Sequence, residues 1–231
     1  VVDGVVDMVG RAGPAGGPAQ RLMETRFYSQ GYEKLFRPAL TRLVTAQSLR
    51  SSVKLSLAML GPRPDDWILD VGSGTGNFTR AIAEHLTGGG FAVAADLSAA
   101  MLVHGAQVAR RTPSLPLLFV RANALMLPFA ADSFDRVHTS AAIQLFDDPT
   151  RAVTELVRVL RPGGTLVIAT FVRSSSWSSR QSQEWLGGRI GFRWFAPARL
   201  HEILGSAGMV LREEVIEGAA ITLSAIKPKL D

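Results

Sequence analysis

Residues 68–83 read ILDVGSGTGNFTRAIA, and this segment restricts the fold more than any other part of the chain. A short apolar run gives way to three glycines at alternate positions, Gly72, Gly74 and Gly76, and then to a helical pattern. A strand, a tight turn and a helix in direct succession form the opening half of a parallel crossover. Glycines at such a turn let a ligand approach the backbone closely.

The alternation continues downstream. Strands are expected over 66–72, 91–98, 116–124, 134–141 and 165–172, with helices over 77–86, 99–111 and 148–160 between them. Short apolar strands separated by helices indicate a parallel sheet covered on both faces. A helix over 197–208 and two strand candidates, 209–217 and 220–228, follow; Gly218 between them makes that pair an antiparallel hairpin. The fold class expected is therefore α/β, a seven-stranded, mostly parallel Rossmann-like sheet closed by a C-terminal antiparallel hairpin.

Ahead of this core, 10–19 read GRAGPAGGPA, without side chains to anchor them, so 1–19 are expected to be a flexible arm. Residues 20–231 are expected to form a single domain, with amphipathic helices over 20–60 and an insertion over 173–195 contributing to a substrate pocket.

With 47% hydrophobic and 19% charged residues in 231, the chain holds enough apolar side chain for one sizeable core, which excludes intrinsic disorder as its class. Cysteine is absent, so a disulfide framework, a thiolate metal site and a cysteine nucleophile are all excluded, and a reducing, cytoplasmic setting fits. The apolar run around Leu166–Val172 falls far short of the roughly 20 residues that a membrane span needs. A net charge of +5 invites a nucleic-acid partner, but the basic residues are scattered rather than gathered into a stripe.

A dinucleotide reader carries its third glycine where Asn77 stands here, one residue after Gly76. The pattern Asp70-x-Gly72-x-Gly74-x-Gly76 instead resembles the first motif of the class I S-adenosylmethionine-dependent methyltransferases. Asp96 after the second core strand, RANALMLPFAADSFD, and ELVRVLRPGG over 155–164 follow in that family's order. The resemblance covers about residues 51–228. It is nearest to the ubiquinone and menaquinone biosynthesis type and to small-molecule methyltransferases of secondary metabolism.

The resemblance implies S-adenosylmethionine as cofactor, with S-adenosylhomocysteine as product. It implies that Asp70, Gly72, Ser73, Gly74, Gly76 and Asn77 cradle the cofactor, and that Asp96 accepts hydrogen bonds from the ribose hydroxyls. Leu97 and Met101 would pack on adenine or ribose. Asn123 stands where the family commonly has Asp; its side-chain oxygen can still accept from the adenine amino group, with the Ala124 N–H facing the ring. Ser140 and Gln144, past the fourth core strand, would lie beside the sulfonium. Ser98 suits an N-cap for the following helix.

Direct displacement from a sulfonium needs alignment and exclusion of water, and demands no metal. A catalytic base is not evident; Gln144, Tyr28, Tyr32 and His138 are the candidates for orienting a substrate or assisting proton loss. The Trp- and Arg-rich insertion suits a cover over an aromatic, quinol, polyketide or lipid-like acceptor, or else a contact within a homodimer. The rival readings are an RNA methyltransferase, a non-catalytic cofactor-binding module and a dehydrogenase. SAAI after the fourth strand lacks the signature of amino-methylating nucleic-acid enzymes, and Asn77 disfavours the dehydrogenase.

Overall fold

The computed structural model describes residues 1, 3–9, 49–173 and 192–229. The arm at 10–19, the helical region up to residue 48 with Tyr28 and Tyr32, and 174–191 of the insertion lie outside the described residues.

In chain order the elements are β1 (Val5–Asp7), α1 (Leu49–Leu60), β2 (Trp67–Val71), α2 (Asn77–Ala83), β3 (Phe91–Asp96), α3 (Ala99–Ala109), β4 (Leu117–Arg121) and β5 (Phe134–Ser140). A single 3-10 turn (Ile143–Leu145), α4 (Pro149–Val159), β6 (Leu160–Phe171), α5 (Pro197–Ser206), β7 (Val210–Glu217) and β8 (Ala220–Ile226) complete them. They build one sheet of order β1-β4-β3-β2-β5-β6-β8-β7, parallel through β6 and antiparallel at β8 and β7. All seven expected strands are present.

The sheet has eight strands rather than seven, because part of the expected arm is a strand. β1 pairs in parallel with β4, Val5 opposite Phe119, and Val5 is buried with Ala94, Leu102, Ala106 and Phe119. The preceding Asp3 and Gly4 take positive φ values of 53° and 84°, the local geometry of a turn that delivers the chain to the sheet edge. The glycine- and proline-rich stretch begins only after this strand.

The C-terminal hairpin forms, with β8 rather than β7 beside β6. The residue patterns supply the reason. AITLSAI carries no charge and is buried on both faces, whereas VLREEVIE carries charges along its length and is exposed except for the half-buried Val215. A strand of the second kind is stable only at an edge, where its charges stay in water.

The largest apolar cluster lies between the sheet and α4 and α5, with Val153, Leu156, Ile168, Leu200 and Ile221 at its centre. A second cluster packs α1 and α2 on the other face through Leu60, Ile68, Ile82 and Val167. Glu155 and Arg158 of α4 reach from the first of these faces to the segment after β4. Glu155 Oε2 accepts from the Leu127 N–H at 2.8 Å, and the Arg158 guanidinium pairs with Glu155 while donating to the carbonyls of Leu127 and Phe129. The Arg158 hydrogen bond, foremost, holds the Glu155 carboxyl below the usual carboxylate range.

This clamp explains why the charged positions of ELVRVL and the LPF segment occur together. Glu155→Ala leaves the Leu127 N–H and much of the Arg158 fork without their acceptor, and is expected to lower stability by about 1 to 3 kcal/mol. Urea unfolding reads that loss; unchanged stability of the variant would show that the clamp contributes nothing.

Candidate active site

The C-terminal ends of β2, β3, β4 and β5 meet at one edge of the sheet. β2 lies between β3 and β5, so the chain passes to opposite sides of β2 and leaves a crevice above its end. The residues that follow each strand line a cleft there: Gly72, Ser73 and Gly74 after β2, Leu97 and Ser98 after β3, and Asn123, Ala124 and Leu125 after β4. Ser140, Ala141 and Ala142 complete it at β5.

The glycine loop is held by backbone bonds. The N–H groups of Gly72 and Ser73 both donate to the Ala95 carbonyl, at 2.8 and 3.1 Å, which folds the loop over the end of β3. Gly72 has φ 68°, and a Cβ on it would stand 2.2 Å from the Ala142 Cβ. Only a residue without a side chain fits between the two strand ends. Gly74, in contrast, faces the cleft, and its closest neighbour would be the Met101 sulfur at 3.4 Å. The Ser73 hydroxyl is buried in the loop with no hydrogen-bond partner among the described residues, a polar group whose burial a ligand would compensate.

Asp96 ends β3. Its Oδ2 accepts from the Gly74 N–H and its Oδ1 from the Ser98 N–H, both at 2.8 Å. An ionised carboxylate offers about four acceptor positions, so Asp96, which lines the cleft, retains acceptor capacity beyond these bonds. Burial pushes the Asp96 carboxyl above the ordinary carboxylate range; the backbone N–H groups of Ser98, Gly74 and Leu97 oppose this, and the negative charge of Asp70 adds to it. Ser98 also caps α3, its hydroxyl accepting from the Met101 N–H at 3.4 Å, which sets Met101 against the cleft. Arg121 Nε donates to the Leu97 carbonyl at 3.1 Å and fixes that part of the wall.

Nine of the predicted positions therefore line one cleft: Gly72, Ser73, Gly74, Asp96, Leu97, Met101, Asn123, Ala124 and Ser140. Asn123 does so with its oxygen already accepting from the Leu125 N–H at 2.9 Å, closing a turn. Its first task is to shape the wall beside Ala124; an adenine amino group would have to use the remaining lone pair.

Four predicted positions are support rather than wall. The Asp70 carboxylate lies beneath the loop, bonded to Thr79 Oγ1 at 2.5 Å and to His138 Nδ1 at 2.8 Å. Gly76 turns away, and a Cβ there would press on Phe119 at 2.9 Å. Asn77 opens α2, with its side-chain oxygen bonded to Arg80. Gln144 is buried, its Oε1 accepting from Thr170 Oγ1 at 3.0 Å, so its side chain does not reach the cleft.

His138 is corrected as a catalytic candidate. It is wholly buried in β5, stacked at 4.8 Å on Phe78 and tied to Asp70, and no acceptor can approach it. Tyr28 and Tyr32 lie outside the described residues.

The far wall is made by residues that sequence reasoning passed over: Leu145, Phe146 and Asp147, with Ala141 in a left-handed conformation (φ 52°) at the turn out of β5. A left-handed alanine costs energy, and its placement at a cleft marks a constrained turn. In the sequence the run Asp147-Asp148-Pro149 signals a helix start, and Asp148 does cap α4 by accepting from the Arg151 N–H at 3.0 Å. That signal conceals that the residue before the cap faces the cleft. Among the described residues, Asp96 and Asp147 are the titratable groups that line the cleft, and no cluster of three or more metal-ligating side chains occurs. No helix among them is long and apolar enough to cross a membrane.

An open α/β sheet with a glycine loop, a carboxylate at the next strand end and a cleft at the switch point defines the Rossmann-like class of fold. Comparison with known proteins narrows this. Residues 69–168 match the family described as a methyltransferase domain. An uncharacterized chloroplastic methyltransferase of Arabidopsis thaliana is 30% identical over 187 residues, 76% of this chain and 52% of that protein. The demethylmenaquinone methyltransferase of Beutenbergia cavernae is 37% identical over 118 residues, 51% of this chain and 46% of that protein.

The chain thus spans about half the length of these curated relatives. Among solved structures, geranyl diphosphate C-methyltransferase from Streptomyces coelicolor A3(2), in complex with S-adenosyl-L-homocysteine, superimposes with a TM-score of 0.67. Its identity is 16%, with 77% of this chain and 76% of that one covered, so the likeness is one of fold.

Proposed function

We propose that this chain binds S-adenosylmethionine in the cleft above β2 and transfers its methyl group to a small-molecule acceptor. The observation that carries this reading is the Asp96 carboxylate. It lines the cleft, is fixed by the Gly74 and Ser98 N–H groups with acceptor capacity to spare, and stands beside a glycine loop that a Cβ would obstruct.

The residues fit the cofactor's three parts. Asp96 accepts from the ribose hydroxyls, and the wall of Leu97, Met101, Ala124 and Leu125 with the Asn123 turn suits adenine. The bare backbone of Gly72–Gly74 and the unpartnered Ser73 hydroxyl suit the polar amino-acid end. When bound, S-adenosylmethionine supplies a methyl group on a cationic sulfur, a leaving group that a nucleophile displaces directly. The chain's task is then to align the acceptor and exclude water, and the apolar wall of Ala141, Ala142, Leu145 and Phe146 does so at the β5 side. Asp147 is the titratable group on that side and the candidate to receive an acceptor's proton.

The names of the relatives support a quinol-like or isoprenoid acceptor, and the wall is apolar enough for one. Incubation with methyl-labelled S-adenosylmethionine and a panel of quinols, phenols and polyketides, read by mass spectrometry, is expected to show label in a small molecule. Calorimetric binding of the cofactor with no transfer to any acceptor would instead identify a cofactor-binding module.

A further inference from the structure

A second cavity, of about 550 Å³, lies between the start of α4, residues 192–196 and the start of α5. Among the described residues its wall holds three arginines, Arg173, Arg193 and Arg199, and no carboxylate. Phe192 and Trp194 form an aromatic surface beside them, their rings 4.8 Å apart and both packed on Phe171.

The three guanidiniums are differently engaged. Arg193 donates both Nη groups to the carbonyls of Phe146 and Asp147, at 2.9 Å each, and its backbone N–H to the Gln144 carbonyl at 3.1 Å. Arg193, in the wall of this cavity, is thus tied to Phe146 and Asp147, which line the methyl-transfer cleft. Arg199 pairs at 3.0 Å with Glu202, a carboxylate 65% exposed and so strongly hydrated, which leaves the pairing weak and exchangeable. Arg173 has no side-chain partner among the described residues. Three like charges around one cavity repel one another, and a cavity of one sign concentrates ions of the other. Guanidinium forks match the planar oxygens of carboxylates and the tetrahedral oxygens of phosphates.

We infer that this cavity is an anion subsite that holds a carboxylate or phosphate carried on an aromatic or isoprenoid body, and so selects acidic acceptors for the adjoining cleft. The inference deepens the methyl-transfer reading and rests on it for the word acceptor; the binding itself is independent of it. The anion meets Arg173 and Arg199, the apolar body lies along Phe192 and Trp194, and Arg193, bonded to Phe146 and Asp147 of the cleft, joins the two sites.

The test is calorimetric titration of the whole chain with 2-naphthoate, 2-naphthyl phosphate, neutral 2-naphthol and inorganic phosphate, with a parallel titration by S-adenosylhomocysteine. One naphthyl anion or the other is expected to bind roughly tenfold or more tightly than 2-naphthol, and the stronger of the two identifies the acidic group. The double variant Arg173→Gln, Arg199→Gln, both at exposed positions, is expected to reduce that anion to the affinity of 2-naphthol and to leave S-adenosylhomocysteine binding unchanged. Equal binding of anionic and neutral probes, retention of anion affinity in the variant, or inorganic phosphate binding as tightly as naphthyl phosphate would each overturn the subsite. Uptake of naphthoate without uptake of S-adenosylhomocysteine would overturn the methyl-transfer reading alone.

Discussion

Gly72→Ala is expected to lose a large part of the fold's stability, whereas Gly74→Ala, two residues along the same loop, is expected to be less destabilised and to lose cofactor affinity. Both glycines have left-handed backbones, which cost a residue with a Cβ about 1 to 2 kcal/mol. At Gly72 the new methyl would also lie 2.2 Å from the Ala142 Cβ, between two strand ends that cannot separate without opening the sheet. Overpacking of this kind adds about 1 to 3 kcal/mol, against a total stability of roughly 5 to 15 kcal/mol. At Gly74 the closest atom is the sulfur of Met101, at 3.4 Å and on a flexible side chain, so the methyl is tolerated but projects into the cleft. Denaturant unfolding and titration with S-adenosylhomocysteine separate the two outcomes. Equal stability of the two variants would show that the loop does not pass as close to β5 as described.

Asp96→Ala is expected to weaken S-adenosylhomocysteine binding by roughly 10- to 150-fold, the equivalent of about 1.5 to 3 kcal/mol for a lost charge-assisted hydrogen bond. The Gly74 N–H loses its acceptor at the same time, so the loop loosens where the ligand would sit. The pH dependence has a definite sign. Recognition of two hydroxyls needs the ionised carboxylate, and burial holds this carboxyl above the ordinary range. Affinity should therefore decline, as the medium is acidified, at a higher pH than an ordinary aspartate would give.

The stability of the free chain runs the other way. A carboxyl whose folded pKa is raised contributes stability below its unfolded pKa, and that contribution is lost as pH rises through the folded value. Titration across pH checks the first trend, and thermal unfolding of the wild type against Asp96→Ala checks the second. Wild-type affinity in the variant would remove Asp96 from the site.

The parts of the site that were legible in the sequence are those set by local rules. A strand running into alternate glycines and then a helix forces a tight turn, and the acidic residue at the next strand end is placed by the same repeat, so Gly72, Gly74 and Asp96 could be read directly. Ser98 was legible as a cap because capping is a matter between near neighbours. Edge and centre of the C-terminal hairpin were equally written in the charges of VLREEVIE and the apolar run of AITLSAI.

The misreadings have one origin. Asp70 and His138 are 68 residues apart and become direct neighbours only because β5 aligns beside β2, Asp70 opposite His138. A histidine read alone suggests a base, and an aspartate in a motif suggests a ligand contact; facing each other beneath a glycine loop, Asp70 and His138 Nδ1 are bonded to one another. Gln144 is withdrawn by Thr170 of β6 in the same way, and Asp147 enters the cleft because its neighbour Asp148 takes the capping position.

The order of residues by itself determined that this chain forms a doubly covered, mostly parallel sheet with a tight glycine turn after its first core strand, since periodicity and glycine spacing act over a few residues. Only the tertiary structure decided which polar groups face the cleft and which are spent on each other, and that β1 extends the sheet. Those outcomes depend on which strands lie side by side, and side chains from distant segments compete for the same hydrogen bonds only once the sheet has brought them within reach.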